Sequence, residues 1–367
     1  MKQLNSRIAC GMLAAALAAG SLTGCGKLDG TKTVATIDGQ EVTLGLASYM
    51  ARDQQAQTES YYQMMMQSYG MGMSDEFWDS KEDDGRTYGE SSKDSVMDSI
   101  KTLYVLNEHA AEYEVAISED EQAKIEEAAK AFMEANDEAT LAELAVSESD
   151  MVTYLELMTI RQKMHDPMVA DIDREVSDEE ANQTRITMVK VSTAGTETDE
   201  DGNTIDLTDE EKAEKKDTAK KVLEKIIASD DIAEADMAAL AKEVDENLTA
   251  TSPAFTTAGS EDDLVDKKVQ AAALKLEEGK VSPEVIEGED GYYVVRLDKM
   301  LDEDATQTKK DSIISQREQD RYDELLQEWE DAADMNIDEK VWKKLTITDS
   351  KSFTYKTEDE SSEDTAE

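Results

Sequence analysis

The sequence predicts an α+β protein in which a small domain of order β-α-α-α-β-β lies between mostly helical N-terminal and C-terminal parts. The first observation is composition: only 3 prolines and 4 phenylalanines occur in 367 residues, a balance that favours helix. The second is a set of capping boxes beginning at Ser118, Ser177 and Thr208. The third is a pair of β-branched and aromatic runs, TRITMVKVST (184–193) and GYYVVRLDKM (291–300), which are typical of strands.

The N-terminus has the pattern of a bacterial lipoprotein signal peptide. Lys2 and Arg7 form a basic start, and the apolar stretch after them is too short to cross a membrane comfortably. The stretch ends in Leu-Thr-Gly-Cys, which resembles a lipobox, so Cys25 is the expected lipidation site. An ordinary secretory signal with a chance cysteine is the alternative. We expect the mature chain on the extracytoplasmic face of the cell membrane, anchored by its lipid.

Changes of composition and periodicity predict where the chain divides. The predicted segments are the signal peptide, 1–24; an anchor and short linker, 25–33; an N-terminal helical domain, 34–176; a small α+β domain, 177–305; a C-terminal helix and segment packing with the N-terminal domain, 306–348; and an acidic disordered tail, 349–367.

The N-terminal domain is predicted to begin with a hairpin and continue as helices. VATIDGQEVT (34–43) alternates apolar and polar residues around Asp38-Gly39, which is a strong hairpin signal. The apolar residues from Leu44 onward recur at helical spacing, and Pro167 is expected to end or kink the last helix.

In the small domain, the strand at 184–193 is followed by three predicted helices, the last two near 231–243 and 264–278. Strands at 280–288 and 291–300 close the domain. A long helix is then predicted over about 309–335.

The charge balance excludes one class of partner. The chain has 38 Lys and Arg against 86 Asp and Glu, which gives a formal net charge of −48. A field of that sign repels nucleic acid and anionic headgroups, and no basic patch with interleaved aromatic residues offsets it. We therefore expect no nucleic-acid binding, and we expect basic or unfolded protein partners to be favoured.

Metal sites are not predicted. The acidic segments 82–85 and 196–208 suggest calcium, but an EF-hand pattern in the second would end at Thr208, which cannot supply a bidentate carboxylate. His109 and His165 lie in predicted helices without a second ligand at i+4, and no hydrolase, zinc, P-loop or dinucleotide motif occurs. We expect each histidine to be structural or solvent-exposed, and we expect no metal and no cofactor.

The run YYQMMMQSYGMGM (61–73) contains five methionines and three tyrosines. It has three interpretations: a Cu(I) site, a buried helical face, or an adaptable apolar surface. A soft-metal site usually recruits Cys or His as well, and none is near. The surface interpretation predicts binding of varied clients, since methionine repacks readily. The candidate client-binding residues are Tyr61, Tyr62, Met64, Met65, Met66 and Tyr69.

Several segments of the sequence resemble a known family. The run AAALKLEEGKVSPEVIEGEDGYYVVRLDKM (271–300) resembles the last helix and two strands of parvulin-type (PpiC-type) peptidyl-prolyl isomerase domains, and TRITMVKV resembles their first strand. VATIDGQEVT and the helices after it resemble the N-terminal chaperone domain of extracytoplasmic foldases of the PrsA and SurA type. The helix at 309–335 resembles their closing C-terminal part. The resemblance implies a parvulin-like middle domain in a foldase.

The resemblance also implies two histidines, and Ile186 and Tyr293 occupy their positions. SPAFTTAGSEDDL (252–264) stands where the family has a glycine-rich stretch. Rotating a prolyl amide crosses a barrier of about 18–20 kcal/mol. A catalyst lowers this barrier with hydrogen bonds that favour the twisted amide. Because Ile186 cannot donate a hydrogen bond, weak or absent isomerase activity is expected.

Three functions remain open. The first is a lipid-anchored chaperone or foldase that assists the folding of secreted proteins, with unfolded clients and the membrane as partners. The second is an active parvulin-type isomerase with an unusual pocket. The third, a solute-binding lipoprotein, is opposed by the absence of repeated βα units. The sequence leaves homo-oligomerisation open.

Overall fold

A computed structural model describes residues 17–19, 28–68, 76–195, 207–259 and 264–355, with the backbone alone at 17–19, 67, 68 and 354. The chain divides into two compact units. Unit 1 comprises residues 1–171 and 320–367, and unit 2 comprises residues 172–319. Unit 1 is therefore built from both ends of the chain, and unit 2 from its middle.

Strands occur throughout the described chain, before, between and after the helices. The strands are β1 (Leu17–Ala19), β2 (Thr33–Ile37), β3 (Gln40–Thr43), β4 (Gln183–Ser192), β5 (Ala250–Thr251), β6 (Ala254–Thr256), β7 (Ile286–Glu287), β8 (Gly291–Lys299), β9 (Met335–Ile337) and β10 (Phe353–Tyr355). The helices are α1 (Leu44–Ser68), α2 (Tyr88–His109), α3 (Glu119–Ala135), α4 (Glu138–Leu144), α5 (Glu148–Met168), α6 (Asp178–Ala181), α7 (Asp209–Ile227), α8 (Met237–Lys242), α9 (Lys267–Ala273), α10 (Glu303–Ala332) and α11 (Glu339–Trp342).

The predicted hairpin at the start of unit 1 is confirmed. Strands β2 and β3 pair antiparallel, and the turn places Asp38 and Gly39 at φ values of 47° and 81°. Positive φ at both central residues matches the twist of paired strands, which is why Asp-Gly favours this turn. The other edge of β2 pairs with β9, with Ala35 opposite Ile337. The C-terminal part of the chain therefore completes this sheet.

Side-chain caps determine where several helices of unit 1 begin. Thr87, Ser118 and Ser147 each accept a hydrogen bond from the third helical residue, whose carboxylate accepts one from the backbone of the cap. Pro167 lies in the last turn of α5, which ends at Met168, so the predicted end of this helix is confirmed. Within the described ranges, none of the helices combines the length and apolar character that crossing a membrane requires.

Buried polar side chains of α1 bind the C-terminal segment of unit 1. Arg52 is 2% exposed and donates to the carbonyl of Thr346 at 2.9 Å. Gln55 donates to the carbonyl of Lys351 at 2.6 Å. These bonds satisfy backbone groups that would otherwise be buried without a partner. They hold residues from the two ends of the chain together.

The first part of the predicted acidic tail (349–367) differs from the prediction. Residues 349–355 include β10, and Phe353 is 1% exposed because its ring fills an apolar cluster formed by α1, α3, α4 and α5. The Arg52 guanidinium carbon lies 4.7 Å from the centre of this ring. Residues 356–367 lie outside the described residues.

Strands β4 and β8 form the centre of the sheet in unit 2. The strand order is β5-β4-β8-β7, and β6 also pairs with β4. Alternate side chains of a strand point to opposite faces. One face packs on α7 and α8, and the other packs on α9. The sheet is therefore covered on both faces within the described part of the unit.

The predicted α+β class is confirmed, but the order of elements in the small domain differs from the prediction. The strands β5 and β6 were not predicted; both pair with β4, whose ten residues are long enough for two partners. The strand predicted at 280–288 is reduced to β7 and an isolated bridge at Val281. Pro283 explains this difference, because proline has no N–H for the ladder.

Helix lengths in unit 2 also differ from the prediction. The helices predicted near 231–243 and 264–278 are reduced to α8 and α9, which begin after the aspartate caps Asp236 and Asp266. Helix α10 begins earlier than predicted because Asp302 accepts a backbone N–H of its first turn at 3.3 Å. Local caps therefore determined these boundaries more closely than apolar periodicity.

Candidate functional site

The two tyrosines of β8 lie on opposite faces of the sheet in unit 2. Tyr292 clusters with Val191 and Ala219, whereas Tyr293 belongs to the cluster that contains Ile186 and α9. Tyr292 is 7% exposed and Tyr293 is 4% exposed. The run GYYVVRLDKM is therefore part of the sheet core.

Ile186 and Tyr293, the positions that the family resemblance indicates, share one face of the sheet but do not lie opposite each other. Leu297 is opposite Ile186, and Lys190 is opposite Tyr293. The offset is four residues along β8, or about 13 Å. Ile186 is fully buried and has no polar atom in its side chain. The structure therefore does not bring a pair of hydrogen-bond donors together at these two positions.

The hydroxyl of Tyr293 binds a carboxylate. It donates a hydrogen bond to one oxygen of Asp290, and the ammonium of Lys190 pairs with the other. Lys190 Nζ also lies 5.9 Å from the centre of the Tyr293 ring, within cation–π reach. Burial, followed by the bond to Asp290, raises the pKa of Tyr293. Lys190, followed by Tyr293, lowers the pKa of Asp290.

The turn between β7 and β8 covers the Tyr293 ring. A Cβ on Gly288 would lie 2.6 Å from Cε2 of Tyr293 and 2.7 Å from Oδ2 of Asp266. Asp266 accepts the N–H of Glu289 at 2.8 Å and also caps α9. Because the turn and the helix cap pack against the ring, Tyr293 is part of the core of unit 2.

A cavity of about 390 Å³ lies beside α9 in unit 2. One wall belongs to the segment 252–264, which stands where the family has its glycine-rich stretch. Leu274 contributes apolar surface, and Lys267 is the one titratable group among the described lining residues. Gln270 is held in place because its Nε2 donates to the carbonyl of Val265 at 2.8 Å. The cavity has room for a small apolar side chain beside a polar rim.

An exposed group of aromatic side chains lies near the C-terminal end of α1 in unit 1. Tyr61 is 59% exposed, Met64 is 66% exposed and Tyr88 is 43% exposed. The ring centre of Phe77 lies 4.6 Å from that of Tyr62 and 5.5 Å from that of Tyr88, on which it stacks. We call the surface formed by Tyr61, Tyr62, Met64, Phe77 and Tyr88 the aromatic surface.

The remaining predicted site residues have different positions. Met65 and Met66 are half-buried on the same helix, whereas Tyr69 and the lipidation residue Cys25 lie outside the described residues. Phe77 and Tyr88, the other aromatic residues of this surface, were not predicted. Phe77 lies four residues beyond the Met-rich run and Tyr88 fifteen residues beyond it, and their ring contacts form only in the folded unit.

The two histidines pack against aromatic rings in unit 1. The His109 ring stacks on Trp329 with ring centres 4.2 Å apart, and its Nδ1 lies 3.1 Å from a carboxylate oxygen of Glu112. The ring of His165 lies 5.5 Å from that of Tyr322. These contacts give both histidines a structural role.

Among the residues that the structure describes, no group of His, Cys, Asp and Glu is arranged to hold a metal ion. In the acidic segment 82–85, Asp84 pairs with Arg86 at 2.8 Å. Residues 196–206, most of the second acidic segment, lie outside the described residues.

Comparison with protein families identifies the type of domain in unit 2. Residues 197–309 match the family described as PPIC-type PPIASE domain. Unit 2 contains a parvulin-like domain. The match begins after β4 and ends within α10, so it includes the buried Tyr293 and the turn that covers it. The predicted parvulin-like domain is confirmed.

Several solved structures align with most of the chain at low sequence identity. The foldase protein PrsA from Lactococcus lactis is 15% identical with a TM-score of 0.34, over 85% of this chain and 96% of that chain. The peptidylprolyl isomerase PrsA from Bacillus cereus is 16% identical with a TM-score of 0.29, over 86% and 96%. A SurA-like chaperone from Campylobacter jejuni is 9% identical with a TM-score of 0.26, over 83% and 98%. No curated protein matches the sequence significantly. Similarity at these levels is not evidence of activity.

Proposed function

We propose that the protein is a membrane-anchored extracytoplasmic foldase that holds unfolded secreted proteins on unit 1 and has weak or absent prolyl isomerase activity in unit 2. The observation that carries this proposal is the exposed aromatic surface, which occurs in a chain that also contains a parvulin-like domain. Its clients are unfolded or partly folded chains that carry apolar side chains.

The aromatic surface has the properties needed to hold varied clients weakly. Fully burying one large apolar side chain contributes about 1.5–3 kcal/mol, so the partial burial of several exposed residues gives useful but reversible binding. Methionine adapts its shape to different partners. The formal net charge of −48 keeps such a surface soluble and attracts basic clients.

The parvulin-like domain lacks groups that would favour a twisted amide. The Tyr293 hydroxyl is already bonded to Asp290, and the turn at Gly288 covers its ring. Ile186 offers no donor. Catalysis depends on hydrogen bonds aimed at the transition state, and neither position supplies a free one. Weak or absent activity follows for any site centred on these residues.

The proposed location depends on the N-terminal sequence. The pattern of residues 1–24 and the lipobox-like Leu-Thr-Gly-Cys support export and lipidation at Cys25. Two or three acyl chains anchor a protein stably, at about 0.8 kcal/mol per buried CH₂. Mass spectrometry of the membrane fraction tests this part, and an unmodified Cys25 in the exported protein would contradict it.

Refolding of a model protein limited by X-Pro isomerisation tests the proposed activity. Uncatalysed isomerisation takes about 10–100 s near 25 °C, so the rate of the slow refolding phase and the final yield can be measured separately. With the full chain added, we expect an unchanged rate and a higher yield near equimolar amounts. An unchanged yield would contradict client holding.

Two matched double variants locate the client surface. Tyr61→Ser/Met64→Ser removes exposed side chains from the aromatic surface, whereas Ile227→Ser/Leu301→Ser removes side chains that are 49% and 47% exposed in unit 2. We expect the first variant to bind clients about tenfold more weakly, because about 1.4 kcal/mol of apolar burial is lost. If both variants behave alike, the aromatic surface is not the client site.

An active parvulin-type isomerase is the second candidate, because the cavity beside α9 lies within the segment that matches the family. In the same assay, this activity would accelerate the slow phase at substoichiometric amounts. Replacing Leu274 with Ser would then reduce the acceleration, since Leu274 provides the apolar lining of the cavity. Tyr293→Phe would leave it unchanged if the cavity, and not the tyrosine, is the site.

A further inference from the structure

We propose that the edge of β10 that pairs with β1 in unit 1 is a docking site for an extended, uncharged, apolar segment of a client, which binds as an added β-strand. This inference rests on the proposed foldase function and specifies the class of client segment. The structure shows the edge occupied by a segment from the other end of the same chain, Leu17–Ala19.

The pairing extends over the full length of both short strands. Leu17 lies opposite Tyr355 and Ala19 opposite Phe353, in antiparallel register. An unpaired strand edge presents a row of backbone N–H and C=O groups, so it is a template for another extended chain. Main-chain hydrogen bonds of this kind provide affinity with little dependence on sequence, as a chaperone requires.

Helix α1 holds β10 in position through side-chain contacts. Phe353 is buried beneath the Arg52 guanidinium, and the Tyr355 hydroxyl donates to Asp53 at 2.8 Å. Just before the strand, the Ser352 hydroxyl donates to Glu59. A strand that is already ordered loses little conformational freedom when a peptide is added, which strengthens binding.

Helix α4 forms the other wall of the docking site. It contacts β1, and Glu143 at its C-terminal end pairs with Lys351 at 2.5 Å. Leu144 and Val146 belong to the same buried cluster as Phe353. The site therefore combines the hydrogen-bonding edge of β10 with an adjacent apolar cluster, which suits small and branched apolar side chains.

The occupant in the structure indicates what kind of client fits. Leu-Ala-Ala comes from the apolar part of the predicted signal peptide, 1–24. Removal of that peptide, expected from the sequence, would leave β10 without this partner. Secreted clients carry similar uncharged apolar stretches, so a segment of this chemistry can replace the lost strand.

A disulfide tests the pairing in the full chain. Residues directly opposite in antiparallel strands have Cα atoms about 4.5–5.5 Å apart, within the range that a disulfide spans. In a chain with Cys10→Ser and Cys25→Ser, we expect Ala18→Cys/Thr354→Cys to oxidise to an intramolecular bridge. Ala18→Cys/Ser350→Cys is the off-register control. Equal bridging in both variants would overturn the pairing.

A peptide with the sequence of residues 13–22, LAAALAAGSL, tests docking by fluorescence anisotropy. Leu17→Pro/Ala18→Pro opens the edge, because proline removes ladder donors. The oxidised Ala18→Cys/Thr354→Cys chain keeps the edge closed. We expect the opened chain to bind the peptide at least about tenfold more tightly than the closed chain, a difference of one or two hydrogen bonds. Reduction of the disulfide should return the affinity to that of the unbridged chain, in which Leu17–Ala19 can still pair with β10.

Two N-methylated peptides separate strand addition from general apolar adhesion. Successive N–H groups of a strand point to opposite sides, so one alternate set faces β10 and the other faces away. We expect methylation of one set to abolish binding and methylation of the other set to preserve it. Equal effects of the two methylated peptides would overturn the proposal.

The possible outcomes distinguish this inference from the foldase function. A chain that raises refolding yield but does not bind the peptide at the opened edge overturns the docking site and leaves the foldase proposal intact. Peptide binding without any gain in yield supports the docking site and contradicts the foldase proposal. If the opened chain dimerises in sedimentation and binds no peptide, the occupant is a second copy, and the assignment to clients is wrong.

Discussion

The two units use tyrosine in opposite ways. In unit 1, Tyr61 and Tyr88 lie on the surface and contact other aromatic rings, with most or much of each side chain exposed to water. In unit 2, Tyr292 and Tyr293 lie in a sheet that helices cover, and lysine side chains lie over their rings. The same residue type therefore forms an exposed apolar surface in one unit and a closed core in the other.

This difference in exposure is the basis for proposing different functions for the two units. An exposed aromatic surface is available to any unfolded chain that reaches it, and monomeric proteins rarely retain such a surface without a use. In unit 2, Tyr293 is buried and its hydroxyl is bonded to the Asp290 carboxylate, so its described contacts are those of a core residue.

The largest expected effect on stability comes from disturbing the packing around the buried Tyr293 ring in unit 2. Gly288→Ala would place a methyl group against the Tyr293 ring and the Asp266 carboxylate, and should destabilise unit 2 by about 1–3 kcal/mol. Hydrogen exchange of the β8 amides measures unit 2, and tryptophan fluorescence measures unit 1, which contains all three tryptophans. Glu289→Ala is the control. Loss of stability in unit 1 alone would contradict the assignment.

Removing the central ring of the aromatic surface should have the next largest effect. Phe77 is half-buried and contacts Tyr62, Trp78 and Tyr88, so Phe77→Ala should lower the stability of unit 1 by about 1–2 kcal/mol. Client holding should weaken as well. Tryptophan fluorescence during denaturant unfolding provides the measurement, and Phe77→Leu is the control that retains apolar volume. Faster exchange in β8 would show that the units are not independent.

A smaller effect is expected from the Tyr293 hydroxyl. Tyr293→Phe removes the hydrogen bond to Asp290 but keeps the buried ring, and should cost unit 2 about 1 kcal/mol. Tyr292→Phe is the matched control on the opposite face and should be nearly neutral. Refolding yield should not change in either variant. A loss of client holding in Tyr293→Phe would contradict a purely structural role for this residue.

The smallest expected effect is the pH dependence of the stability that Asp290 contributes to unit 2. Lys190 and Tyr293 lower the pKa of Asp290 below its ordinary value of 3.8, so the charged carboxylate stabilises the folded state above that value. This contribution is lost as the pH falls through the lowered pKa. The difference in unfolding free energy between wild type and Asp290→Asn should be constant above pH 3.8 and should shrink below it. Because Asp290 is more than half exposed, we expect less than about 1 kcal/mol. A difference that grows on acidification would contradict this sign.

Local signals in the sequence predicted much of the fold. Asp38-Gly39 predicted the hairpin because its conformational requirement is strict, and Ser118 predicted a helix start because its capping box is self-contained. The strands β5 and β6 could not be predicted, since two or three residues are too few to show alternation. Strand β10 was also missed, because its position depends on a core assembled from the opposite end of the chain.

The candidate sites were predictable only in part. The Met-rich run was visible in the sequence, but Phe77 and Tyr88 joined it through tertiary packing. The substitution at Tyr293 was visible through family resemblance, whereas the partners that occupy its hydroxyl were not. Lys190 and Asp290 are ordinary surface-type residues in the sequence, and only strand register and a turn bring them to the tyrosine.

Unit 1 is the first part of the chain to be synthesised and the last that can finish folding. The carbonyl of Thr346 that Arg52 binds is separated from it by 294 positions in the chain, and β9 and β10 are translated after the whole of unit 2. Unit 2, by contrast, is continuous and can fold as soon as it emerges. Long-range contacts of this kind form slowly. A nascent chain therefore keeps unit 1 incomplete until its last strand has been translated.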